Sequence, residues 1–184
     1  MEQLDTSSGT QPKKSVFSTA LKYAIITALA SFIFSIVVYA THMYLNSWIQ
    51  WIGLLILLVG LVFVVKERRD KDLSGYITFG EAFNVGFLFC MILAVFSVLM
   101  NLLMTQVIAP DMMTEIINNA QQKMIDKGMT DEQIDIAMKY TKMFTSPVAQ
   151  VIIGILFTAF FGAILSLIVA AIFKKNNPQL QPPM

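Results

Sequence analysis

The chain has 184 residues, enough for one ordinary domain, with 56% hydrophobic and 14% charged residues and a net charge of +1. So near-neutral a balance offers none of the basic patch that nucleic-acid binding leaves, and no nucleic-acid partner is expected. Cys90 is the only cysteine, which rules out an intrachain disulfide and leaves the redox compartment undetermined.

Residues 1–15 form a polar leader, and the apolar run behind them far exceeds the roughly 7–15 residues of a signal-peptide core. The leader is expected to be disordered and the run to be a retained first span. Four apolar runs, Tyr23–Leu45, Trp48–Val65, Ala82–Ala109 and Val148–Phe173, contain no Asp, Glu, Lys or Arg. Each is long enough to cross a bilayer, since a spanning helix needs about 20 mostly apolar residues. The expected fold class is all-α, a polytopic membrane protein with four transmembrane helices over about 17–45, 48–65, 80–109 and 147–173. An extramembrane amphipathic helical hairpin fills 110–145 between the third and fourth, and 176–184, with Pro178, Pro182 and Pro183, reads as a disordered tail.

In the first span Thr27, Ser31, Ser35 and Tyr39 recur every four residues, and His42, the sole histidine, falls at its outer end. A single histidine excludes bis-His haem ligation and the paired motifs of di-iron bundles. Ser47-Trp-Ile-Gln50 reads as a capping box opening the second span, in which a hydroxyl caps a backbone N–H and a Gln or Glu three residues on reaches back. Thr78-Phe-Gly-Glu81 opens the third in the same way. Capping gives Glu81 a structural role, and a carboxylate is favourable at a helix N-terminus; a functional carboxylate is the competing reading. Within the third span Asn84, Ser97 and Asn101 are, with Ser31 and Ser35, the candidate polar intramembrane residues. Asn101 is the strongest, because an amide in hydrocarbon needs a partner.

Beyond Pro110, the residues Met113, Ile116, Ile117, Ala120 and Met124 recur at helical spacing, Lys127-Gly128 supplies a stop, and Thr130-Asp-Glu-Gln133 opens a second amphipathic helix. Six acids and four lysines are too few cations for a membrane-surface helix. Packing as a cap on the bundle is the favoured reading, with a partner-binding groove, helped by six methionines, as the alternative. Ser146-Pro147 reads as an N-cap followed by proline at the first helical position, starting the fourth span. That span carries Gly154, Thr158, Gly162, Ser166 and Ala170, small residues four apart that let helix backbones approach closely. At 100° per residue the ladder turns about 160° over its length, more than one straight partner covers.

With four spans both termini share a side, which then holds Lys13, Lys14, Lys22, Lys66, Arg68, Arg69, Lys71, Lys174 and Lys175 against Lys123, Lys127, Lys139 and Lys142 opposite. The positive-inside rule places the termini in the cytoplasm. Tyr39, Tyr44, Trp48 and Trp51 form an aromatic belt at the other interface. No P-loop, dinucleotide fingerprint, nucleophile elbow or zinc-protease motif is present, so no enzyme, cofactor or metal is expected. The absence of charges within the runs argues against ion coupling.

The stretch Gly75-Tyr-Ile-Thr-Phe-Gly-Glu-Ala-Phe-Asn-Val-Gly86, the Ala109-Pro110-Asp111 step, Gly128-Met-Thr130, and Gly162 near a Lys174-Lys175 ending together resemble a bacterial membrane-protein family known only as domain of unknown function 4199. The resemblance covers about residues 17–175. It implies four spans and a bacterial membrane location and supplies no activity or catalytic residues. The expected function is that of a non-enzymatic structural or interaction protein of the bacterial inner membrane. Its partners would be the lipid bilayer and either another protein or a second copy of itself, with the outer hairpin as contact surface. The alternative is a small channel or transporter subunit for a polar solute, with Ser31, Ser97 and Asn101 near its path.

Overall fold

The structure, a computed structural model, describes residues 15–46 and 48–175. The expected leader, the proline-rich tail and the Ser47 cap lie outside the described residues. Within them the fold is all-helical: α1 (Val16–Ala40), α2 (Ile49–Glu67), α3 (Phe79–Leu103), α4 (Pro110–Asp126), α5 (Asp131–Phe144) and α6 (Pro147–Phe173). Four of these helices, α1, α2, α3 and α6, are long and apolar enough to cross a membrane.

The helix ends follow their local chemistry. Thr78 caps α3: its Oγ1 accepts from the Glu81 N–H at 3.3 Å while Glu81 Oε2 accepts from the Thr78 N–H at 3.3 Å. Thr130 and Gln133 repeat the reciprocal arrangement at α5, and Ser146 Oγ accepts from the Ala149 N–H at the start of α6. Two helices run on as π-helical turns, α2 through Arg68–Asp72 and α3 through Met104–Ile108, the latter closed by the Ala109 N–H bonding to the Met104 carbonyl at 2.7 Å. The first apolar run continues to Leu45, yet α1 stops at Ala40 because His42 takes a left-handed conformation at φ 53°. Apolar character does not mark this stop, since Met43 and Leu45 form a separate short turn.

The long helices form a ring in which α3 touches α1 and α6, and α2 closes the circuit against α1 and α6 while also reaching α3. The core sits at one end of this ring, the end of the 68–78 turn. Ala20, Ala24, Leu61, Val64, Val65, Val85, Phe89, Cys90, Val169 and Ala170 are all buried there. Backbones come close at two glycines. A Cβ on Gly60 would stand 2.3 Å from Thr27 Oγ1, and one on Gly162 would stand 2.7 Å from Cys90 Cβ. Toward the opposite, splayed end α2 and α6 carry no buried residue before Gly60 and Gly162 respectively, and the bundle opens into grooves, although Val38, Met104 and Thr105 stay buried there. The expected cap over that end is only partly built: α4 has no buried residue, and in α5 only Ile134 and Met138 are buried.

Candidate functional site

Two regions hold the polar side chains that the long helices carry. The first is at the 68–78 end, where the seven-residue charged run Lys66–Asp72, the end of α2 and its π-helical continuation, packs against α1. Glu67, only 7% exposed at its side chain, accepts from the Tyr23 hydroxyl at 2.5 Å, Lys22 Nζ at 3.0 Å and Lys71 Nζ at 3.3 Å. Arg68 donates to Asp72 Oδ2 at 3.2 Å, with both side chains 6% exposed, and Thr19 Oγ1 donates to the same oxygen at 2.9 Å. A carboxylate drawn out of water needs this density of donors.

The end of α6 is stitched to the same place. Ile77 and Lys175 exchange two backbone hydrogen bonds at 3.0 and 2.8 Å, Lys175 Nζ lies 5.4 Å from the centre of the Tyr76 ring, and the Arg69 guanidinium lies 5.5 Å from that of Phe173. Ion pairs thus tie α1 to α2 at this end, and backbone bonds and cation–ring contacts tie the end of α6 to α2 and to the turn before α3. That arrangement fixes geometry, and beside it Leu61, Val64, Val65, Val85 and Phe89 form a packed apolar layer.

In the sequence Lys22, Arg68, Arg69 and Lys71 read only as orientation charges and Tyr23 only as an interfacial ring, while Glu67, Asp72 and Thr19 carry no mark of the network. The available signal was the spacing of Glu67 with Lys71 and of Arg68 with Asp72, each four apart and on one helix face.

The second region is the splayed end. Ser97 and Asn101 follow Cys90 by seven and eleven residues and so continue the face of α3 that is buried lower down, yet both are exposed. A groove of about 330 Å³ on one side brings them together with Ser31 and Ser35 of α1 and with Tyr44. A second groove of about 380 Å³ on the other side brings the same pair together with Gln150, Gly154 and Thr158 of α6. Ser35 Oγ donates to the Ser31 carbonyl at 3.0 Å, whereas the Asn101 amide and the Ser97 hydroxyl make no hydrogen bond among the described residues.

The ladder of α6 is thus divided. Gly162, Ser166 and Ala170 are buried in the core, Ser166 Oγ lying 3.9 Å from Cys90 Sγ, while Gly154 and Thr158 line a groove. Asn84 is exposed near the start of α3, away from both grooves. Near the mouth of the first groove the Tyr44 hydroxyl donates to Glu115 of α4, and this hydrogen bond pushes the phenol up to about 12. No group of three or more His, Cys, Asp or Glu side chains suited to a metal occurs among the described residues.

A protein family described as a protein of unknown function (DUF4199) matches residues 22–175. No curated protein and no solved structure matches the chain.

Proposed function

The chain belongs to the DUF4199 family of proteins of unknown function, and from that membership and its four apolar helices we propose a non-enzymatic structural or interaction protein of the bacterial inner membrane. Both termini lie in the cytoplasm, a reading supported by the nine cations against four on the two sides of the spans. Helices α4 and α5 form an antiparallel hairpin on the opposite face and carry the contact with a partner protein or a second copy. The observation that carries this reading is the exposed apolar side of α5, where Ile136, Tyr140, Met143 and Phe144 are each more than half exposed. Contiguous apolar surface of this kind marks interaction sites.

Photocrosslinkers placed at Ile136 and Tyr140 of the full chain in native membranes test it. A discrete protein–protein adduct, absent when the crosslinker is moved to Lys142 on the polar side of α5, is expected. Adducts with lipid alone would refute the reading.

A second reading, a small channel or transporter subunit for a polar solute, draws on Ser31, Ser35, Ser97 and Asn101 sharing a groove. Against it stands the packed layer of Leu61, Phe89, Cys90 and Gly162, which fills the bundle on the 68–78 side of that groove. Solute flux in reconstituted vesicles, abolished by Asn101→Leu, would install it in place of the first.

A further inference from the structure

The two grooves at the splayed end share one ridge, formed by Ser97 and Asn101, and both run from the helix ends toward mid-span. The first extends along α1 from Val38 to Ala28, ten residues or roughly 15 Å at 1.5 Å per residue. That is about half of a 30 Å hydrocarbon core, the depth of one leaflet. The second runs along α6 from Gln150 to Thr158 and reaches Ala94 on α3. Neither is lined by Asp, Glu, Lys, Arg or His; their walls are Phe32, Phe34, Val38, Val98, Leu102 and Val151, with neutral hydrogen-bonding groups at the shared ridge. Their volumes fall in the range of about 300–1,000 Å³ typical of ligand pockets.

We propose that these paired grooves hold one diacylglycerolipid, with an acyl chain in each groove and its ester region against Ser97 and Asn101. Four features of the cleft call for that chemistry. The ridge offers an amide N–H₂ and a hydroxyl with no protein partner, suited to ester carbonyls, which only accept. An unsatisfied amide in hydrocarbon is costly, so an acceptor supplied by the ligand contributes directly to its retention. The grooves straddle the ridge, which matches a molecule whose two apolar chains diverge from one polar junction. The packed layer at Phe89, Cys90 and Gly162 ends the cleft near mid-span and so gives it a floor. Tyr44, near the mouth, sits where phenol rings favour the headgroup region. The second groove meets the apolar side of α5 at Phe144 alone and does not include Ile136 or Tyr140, so failure of the lipid site would leave the protein contact proposed at those two residues standing.

Native mass spectrometry of the full chain, released from detergent in the presence of dioleoylphosphatidylethanolamine or of its single-chain lyso form, tests the proposal. One diacyl lipid per chain should be retained at least about tenfold more strongly than the lyso lipid. Gly154→Leu should fill one groove and reduce that preference toward unity; a Cβ at Gly154 meets only Val98 Cγ2 at 3.5 Å, so the fold accommodates the change. Ser97→Ala with Asn101→Leu should weaken retention several-fold, and Asn84→Leu should leave it unchanged. Equal retention of one-chain and two-chain lipids, or retention unaltered by Gly154→Leu, overturns the proposal. So does a disulfide-linked dimer formed through Asn101→Cys that excludes the lipid, which would make a second copy the occupant.

Discussion

Glu67 is the side chain on which the polar end turns, since it takes donors from α1 on one side and from its own π-helical continuation on the other. Glu67→Ala removes the acceptor of Tyr23, Lys22 and Lys71 at once. Hydrogen bonds to charged groups contribute about 1.5–3 kcal/mol, and because Lys22 and Lys71 are 51% and 70% exposed the loss should fall near the lower bound. Unfolding in detergent should show it as a lowered midpoint, with Glu67→Gln retaining part of the effect as an acceptor for Tyr23. A midpoint equal to wild type in Glu67→Ala would mean the network adds nothing. A second contrast separates tight from loose contacts along one helix. Gly162→Ala places a methyl 2.7 Å from Cys90 Cβ, and overpacking of this kind costs about 1–3 kcal/mol. Gly154→Ala meets nothing closer than 3.5 Å and should be neutral or slightly stabilising through helix propensity. The spacing of the ladder was legible in sequence; which rungs would be buried was not, because that depends on which of them the neighbouring helices cover.

Helix starts are written in the sequence more plainly than helix continuations. A capping box pairs a hydroxyl and a Glu or Gln at fixed spacing, and the ones at Thr78 and Thr130 form as that spacing dictates. Thr130→Ala should therefore loosen the first turn of α5, at a cost of about 0.5–2 kcal/mol. Hydrogen exchange of the amides at Glu132 and Gln133 should rise while those of α3 stay as they are; exchange unchanged at α5 would show the cap to be dispensable. The π-helical continuations at Arg68–Asp72 and Met104–Ile108 had no such signature, since the charges of one and the apolar side chains of the other suit an α-helix equally. The same holds for the end of α1, where the break comes from the backbone conformation of His42 and not from any polar residue. Apolar periodicity also placed the interior face of α4, but nothing in the chain's own sequence states that this face stays half exposed.

Across the whole molecule, stability is concentrated at one end. The buried residues of α2 all lie at or beyond Gly60, and those of α6 at or beyond Gly162, while the ion pairs and the Ile77–Lys175 bridge lie just past them. The opposite half is more open, with grooves on either side of α3 and fewer buried residues, chiefly Val38, Met104, Thr105 and Ala109. Substitutions of equal chemistry should then have unequal effects according to position along the bundle. Leu61→Ala removes a fully buried side chain between α1 and α3 and should cost about 2–5 kcal/mol, transfer and cavity terms together. Leu156→Ala removes a side chain that is 64% exposed on α6, where detergent or lipid fills the space it leaves, and should stay within about 0.5 kcal/mol. Denaturant unfolding in mixed micelles, with both variants compared to the parent chain, reads the difference directly. If Leu156→Ala proves as costly as Leu61→Ala, the splayed half is packed against something in the folded state. A cost that falls when the chain is delipidated would assign that packing to bound lipid, and one that falls on dilution of the protein would assign it to a second copy.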